Sequence, residues 1–300
     1  FPRRSEISGV VTAIPSKLPM GFHPPPLSIE ILNAMKSLRY LGAYTAHSLE
    51  RAKEEEDQCA RLRKFGYDVE GFCVSVPGPG HEAWPMHKVA AELRRKNPDL
   101  MQMYDALEAK LHQKDVFVVW TGAMIHPELV KRLPTYNIYL CSDDPESSGA
   151  LSKPVAKYFD HAFTRNIACV ERYGQWGCRN HGWSPIPVAG DCLTAFQSEE
   201  EILQGKRDLD VVMFCERLHV VMLGERVHAA SDRMQRIEKL CQAFPQVTIR
   251  GRGWPGGFVN TQEMWDMYRR AKIGWNLHNS VGPTNGRLMQ LPAFGVMQIC

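Results

Sequence analysis

The residues best suited to hold a ligand lie near the C-terminal end. Residues 272–300 read as strand, polar loop, helix and strand. Asn276, His278 and Asn279 fall at or just past the end of the first strand, and Asn285, Gly286 and Arg287 at the start of the helix. In open α/β sheets ligands bind at that edge. Free N–H groups at a helix start favour phosphate, and an arginine adds a charged, forked donor. The bland alternative is a solvated loop with an ordinary helix cap. A second candidate is Arg250-Gly-Arg252-Gly253-Trp254-Pro-Gly-Gly, which also follows a strand. Its glycines permit close backbone approach, Trp254 could stack on a base, and the arginines could reach a diphosphate. It lacks both the Walker pattern and GxGxxG spacing, and a surface turn with a packed Trp fits it as well.

Groups suited to proton or metal chemistry are more scattered. Asp143 and Asp144 form a carboxylate pair that could hold Mg²⁺ or Mn²⁺, although Asp144 before Pro145 also reads as a turn starter. His47 and His126 each follow a strand, where an imidazole can accept a proton or simply cap the next helix. Glu216, Arg217, His219, Arg226 and His228 cluster in sequence after a later strand.

These positions require strands alternating with helices. Strands are expected at 38–44, 67–76, 116–120, 137–141 and 161–164, with helices at 46–64, 86–114 (broken near Asn97 and Pro98), 126–133 and 169–176. The pattern lapses near Pro185, Pro187 and Gly190, then resumes with strands at 209–214, 247–250, 272–277 and 296–300 and helices at 226–244 and 261–271. Short apolar strands such as Val116–Trp120 belong inside a parallel sheet covered on both faces. The resulting division is an irregular Pro-rich arm at 1–36, an α/β domain at 37–188, a linker at 189–207 and a second α/β domain at 208–300. The second domain ends on an uncovered strand, so further C-terminal residues are expected.

Three hundred residues suit two domains, and 44% hydrophobic content allows sizeable cores. No apolar run reaches the length of a membrane-spanning helix, and no apolar stretch follows Phe1-Pro-Arg-Arg as a secretory signal requires. A net charge of +3 is too weak for a dedicated nucleic-acid binder and suits a protein that holds a diphosphate. Nine cysteines without a CxxC pair read as reduced thiols, and the expected location is the cytoplasm.

Several segments in register resemble the spore-maturation (CgeB-like) branch of the group 1 glycosyltransferases. They are RGRGWPGG at 250–257, AKIGWNLH at 271–278, NGRLMQLPAFGV at 285–296, VVWTGAMIHPELVKRL at 118–133, IYLCSDDPESS at 138–148 and FDHAFTRN at 159–166. The resemblance spans residues 37–300. It implies a GT-B fold, with two Rossmann-like domains facing a cleft. The C-terminal domain would bind a nucleotide-sugar, UDP or GDP based, and the N-terminal one an acceptor. Arg250, Arg252, Gly253, Trp254, Asn276, His278, Asn285, Gly286, Arg287 and Gln290 would form the donor site. Gln290 stands where the family has a glutamate for the donor ribose; it keeps hydrogen-bonding capacity and loses the charge. His47, His126 and Asp144 are the catalytic candidates, His47 matching the loop where some inverting GT-B enzymes place a base. Arg217 and Arg226 are candidates for the donor phosphates. GT-B enzymes generally need no metal or cofactor, so none is assigned to Asp143 and Asp144.

The reading is a glycosyltransferase of hexosyltransferase type, metal-independent and retaining. Its acceptor is a small molecule, glycan or protein rather than a nucleic acid. A nucleotide-sugar epimerase or hydrolase of the same fold is the alternative, as is a degenerate binding protein, which Gln290 favours.

Overall fold

The computed structural model describes residues 29–45, 49–76, 84, 86–120, 125–145, 148–185, 198–215, 217, 221–222, 225–226, 228–277 and 285–300. His47, His278, Asn279, Glu216 and His219 lie outside these residues, as does the Pro-rich arm up to residue 28. The chain divides into two compact units, Phe1–Ser184 with Leu223–Glu225, and Pro185–Met222 with Arg226–Cys300.

In the first unit, α1 (Ile29–Lys36) leads into β1 (Arg39–Tyr44), α2 (Leu49–Lys64), β2 (Asp68–Cys73), α3 (Met86–Arg94), α4 (Pro98–Leu111), β3 (Val116–Trp120) and α5 (Pro127–Arg132). There follow β4 (Tyr136–Cys141), β5 (His161–Thr164), α6 (Val170–Gln175) and β6 (His181–Trp183). The sheet order is β2-β1-β3-β4-β5-β6, and every pairing is parallel. The break expected near Asn97 is real. Pro98 cannot continue the preceding helix, and Asn97 Oδ1 accepts from the N–H groups of Asp99 and Leu100 to start a new one. Alternation sends Leu41, Ala43, Phe117, Val119, Tyr139 and Cys141 to one face, where they form a core with α4 residues Leu100, Leu107 and Leu111. The guanidinium of Arg39 grips buried Asp115 through two hydrogen bonds of 3.0 Å, tying the start of β1 to the residue before β3. The strand at His181–Trp183 goes beyond the sequence expectation; three residues give periodicity too little to work with.

The second unit begins with α7 (Glu199–Gln204), capped by a reciprocal Ser198–Glu201 box. After it come β7 (Leu209–Phe214), the short pair β8 (Val221–Met222) and β9 (Glu225–Arg226), α8 (His228–Ala243), β10 (Thr248–Arg250), α9 (Thr261–Arg270), β11 (Ala271–Trp275), α10 (Arg287–Ala293) and β12 (Met297–Ile299). The main sheet runs β10-β7-β11-β12, all parallel. Its order repeats that of the first four strands of the other unit. Both faces are covered: Val212 and Phe214 pack with Trp265, Tyr268 and Leu291 on one side, and Met213 and Cys215 with Ile237 and Leu277 on the other. The chain is thus an α/β protein with two doubly wound parallel sheets. Among the described residues each cysteine is a free thiol, and no helix is long and apolar enough to cross a membrane.

Candidate functional site

In the second unit the connectivity reverses between β7 and β11. The chain passes from β7 to β10 on one side, then returns to β11 on the other. Ligands of open α/β sheets lie at the carboxyl ends of strands flanking such a reversal. There Asn276, fully buried, accepts two hydrogen bonds on Oδ1, from Asn285 Nδ2 at 2.6 Å and Arg287 Nε at 3.0 Å. Two donors converging on one atom fix the amide's orientation. They leave Asn276 Nδ2 buried and without an acceptor among the described residues. Arg287 also donates from Nη1 to Phe214 O at 3.0 Å and from Nη2 to Leu277 O at 3.3 Å. One guanidinium therefore ties the end of β7 to the end of β11, using three of its five N–H groups and leaving two.

Local sequence explains why Arg287 stands there. Asn285 Oδ1 accepts from Leu288 N–H at 3.2 Å, which opens α10. The helix then seats directly on β11 because Gly274 has no side chain; a Cβ there would collide with the Leu291 methyls. Gly295, at φ +64°, turns the chain out of α10 into β12. Arg207 fastens the opposite end of this packing by donating to Tyr268 O, Ala271 O and Phe294 O. Its buried carbonyl partners leave no sequence signature, and inspection of motifs misses it. The Gln290 side chain lies beside Gly286, with Nε2 3.7 Å from where a Gly286 Cβ would stand.

The 250–257 loop occupies the adjoining part of the same edge. Pairing continues past the strand ends, with Cys215 N–H donating to Arg250 O at 3.0 Å and Arg217 N–H to Arg252 O at 2.9 Å. The loop closes on itself through Gly251 N–H to Gly257 O at 2.8 Å and Gly257 N–H to Trp254 O at 2.9 Å. Gly253 (φ +81°) and Gly257 (φ +71°) take the left-handed conformations this turn needs. Arg250 turns inward, its Nε reaching Gly257 O at 3.4 Å, while Arg252 is exposed. Trp254 is partly buried against the cluster of Cys215 and Leu277, with the Arg217 guanidinium 5.6 Å from its ring centroid. Of the sequence candidates, the structure brings together Asn276, Asn285, Gly286, Arg287 and Gln290. It sets Arg250, Arg252, Gly253 and Trp254 beside them through β7, and adds Arg217 to that group.

The remaining candidates belong to the first unit. Asp144 is buried, and both carboxylate oxygens are engaged: Ser152 Oγ donates to Oδ1 at 2.7 Å and Tyr173 OH to Oδ2 at 2.6 Å. Asn166 Nδ2 adds a bond of 3.3 Å to its carbonyl. Burial raises its pKa, against the lowering effect of these hydroxyl donors. Asp144 is thus the hub that joins β4, β5 and α6. Asp143 is half-buried, and its pKa is raised by burial and by the adjacent Asp144. Among the described residues no three His, Cys, Asp or Glu side chains converge as metal ligands do. His126 caps α5, its Nδ1 accepting from Glu128 N–H at 3.3 Å, and burial lowers its pKa. A neutral ring accepting at Nδ1 carries its hydrogen on Nε2, so the free nitrogen is a donor rather than a base.

Residues 226–300 match the model of a family described as glycosyl transferase-like. Comparison with curated proteins finds no match. Among solved structures, an alpha-glucosyltransferase in complex with UDP and a 13-mer DNA containing an HMU base is similar at a TM-score of 0.50. Identity is 11%, over 86% of this chain and 78% of that one. Anabaena Alr3699/HepE in complex with UDP and glucose aligns at a TM-score of 0.48 and 11% identity, over 87% and 80% of the two chains. The fold is that of the GT-B glycosyltransferases, two Rossmann-like α/β units, and the glycosyl transferase-like segment contains most of the candidate ligand edge.

Proposed function

We propose that the protein is a glycosyltransferase that binds a nucleotide-sugar at the carboxyl edge of β10, β7 and β11. One observation carries this reading: within the segment matched to the glycosyl transferase-like family, Asn276, Asn285 and Arg287 converge on the sheet's reversal point, leaving unspent donors. The two remaining Arg287 N–H groups, with Arg217 and Arg252, suit the charge on a diphosphate. Half-buried Trp254, with Arg217 beside its ring, is assigned to the base, and the Gln290 amide to the ribose. UDP is the first nucleotide to test, since the alpha-glucosyltransferase structure described above was solved with it.

In the reaction a hydroxyl oxygen of the acceptor bonds to the sugar's anomeric carbon. The bond from that carbon to the diphosphate breaks, and the arginines take up the charge left on phosphate. Of the three catalytic candidates in the first unit, His47 lies outside the described residues, and neither of the other two is a ready base. Asp144 is occupied by Ser152 and Tyr173, and His126 presents an N–H. The proposal keeps transfer with retention, which the resemblance implies and in which the departing phosphate oxygen receives the hydroxyl proton. The transfer is proposed to need no metal, with hexose as the sugar and the first unit holding the acceptor. The kinship to the CgeB-like branch is part of the same proposal.

A thermal-shift series with UDP, GDP, dTDP, ADP and CMP, each with and without EDTA, tests the donor site. A nucleotide at a hundred times its Kd should add about 2.7 kcal/mol to stability. A shift with one diphosphate, unchanged by EDTA, is the expected result. Loss of the shift in EDTA would overturn metal independence, and no shift with any nucleotide would overturn the donor site. If the donor binds but is never consumed with any acceptor, Gln290 marks a binding protein instead.

A further inference from the structure

The first unit contains a half-open pocket of about 160 Å³ between its sheet and α2, bounded on the helix side by exposed Leu62. Its walls are Tyr40, Gly42 and Tyr44 from β1, Trp120 from β3, and Cys59 and Leu62 from α2. The polar end of Tyr40 is already used, donating to Met35 O at 2.8 Å, so its ring presents a hydrocarbon wall. Gly42 is open floor; a Cβ there would find only Glu70 O, at 3.9 Å. The cavity lies where connectivity reverses, since β1 has β2 on one side and β3 on the other. Tyr44 and Trp120 end those two strands, so the cavity reaches the carboxyl edge at which such sheets bind ligands.

We infer that this cavity is a binding site for a small uncharged apolar group, of about the size of one benzene ring. The volume matches that ligand: an enclosed apolar cavity of about 150 Å³ accommodates benzene or xenon. Acidic groups at the pocket disfavour an anion, although Arg63 acts on Cys59 and Arg165 lies 5.9 Å from the Trp120 ring. Glu55 also borders the space and is buried, and the Tyr44 hydroxyl, beside Cys73 and the Glu56 and Glu55 carboxylates, has a raised pKa led by burial. On the transferase reading the occupant is an apolar part of the acceptor. Only that identification rests on the transferase reading; the binding site itself does not.

The test uses the whole chain, with toluene as probe and benzoate as its anionic counterpart. Toluene raises the unfolding midpoint in a concentration-dependent manner and benzoate does not. Gly42→Val fills the floor with a residue suited to a strand and abolishes the toluene effect. Leu62→Phe narrows the cavity from the helix side, and it provides the same answer should Gly42→Val fold poorly. Absence of any toluene effect on the unaltered protein, or an undiminished effect in a folded filled variant, overturns the site. Neither outcome depends on nucleotide binding or sugar transfer.

Discussion

Replacing Arg287 by alanine separates a clamp from a simple ligand contact. The side chain makes three hydrogen bonds, to Asn276 Oδ1, Phe214 O and Leu277 O, and those three residues are all buried. A hydrogen bond to a charged group contributes roughly 1.5–3 kcal/mol, and a stranded buried acceptor costs roughly 1–3 kcal/mol. The three bonds share one side chain and do not add fully, and Asn276 Oδ1 keeps its bond from Asn285. The expected loss is about 3 kcal/mol in the ligand-free second unit. Hydrogen exchange at the β7 and β11 amides reads that unit alone, and the loss corresponds to on the order of a hundredfold faster exchange. Arg287→Lys retains the charge but not the fork, and falls between alanine and arginine. Nucleotide affinity drops in both variants, because the ends of β7 and β11 are no longer held together. If Arg287→Ala abolishes nucleotide binding while ligand-free exchange stays at the wild-type rate, the clamp is refuted and Arg287 is a ligand contact alone.

Two further outcomes follow from packing and burial. Gly274→Ala drives a methyl into Leu291, and overpacking of this kind costs about 1–3 kcal/mol; a lowered urea midpoint and weaker nucleotide binding together check it. His161 is buried against Phe163, neither ring nitrogen has a partner among the described residues, and burial, then His181, pushes its pKa down to about 4 from 6.5. The unfolded chain therefore binds more protons between those values, and stability falls as pH drops from 6.5 toward 4, by up to ~3 kcal/mol. His161→Phe should flatten that part of the urea-midpoint profile, and an unchanged slope would remove His161 as the cause.

Local sequence was enough to specify most elements. The apolar run Val116–Trp120 can only be a buried strand, and Asn97-Pro98 and Asn260 with Glu263 end one helix and begin others by chemistry confined to a few residues. The strand–loop–helix order around Asn276 and Arg287 was legible for the same reason. What those side chains bond to was not. That Arg287 reaches Phe214 O, 73 positions away, depends on β7 and β11 lying side by side, and a carbonyl acceptor leaves no mark on residue type. Asp144 looked like half of a metal or catalytic pair, yet Tyr173, 29 positions on, donates to it once α6 packs against β5 and β6. The apolar cavity is likewise a property of the packing of α2 on β1 and β3, because an unfilled volume exists only between elements already in place. Sequence determined most of the elements and the residues proposed here to bind an anion. Tertiary structure decided which of them act as struts and which retain donors for a ligand.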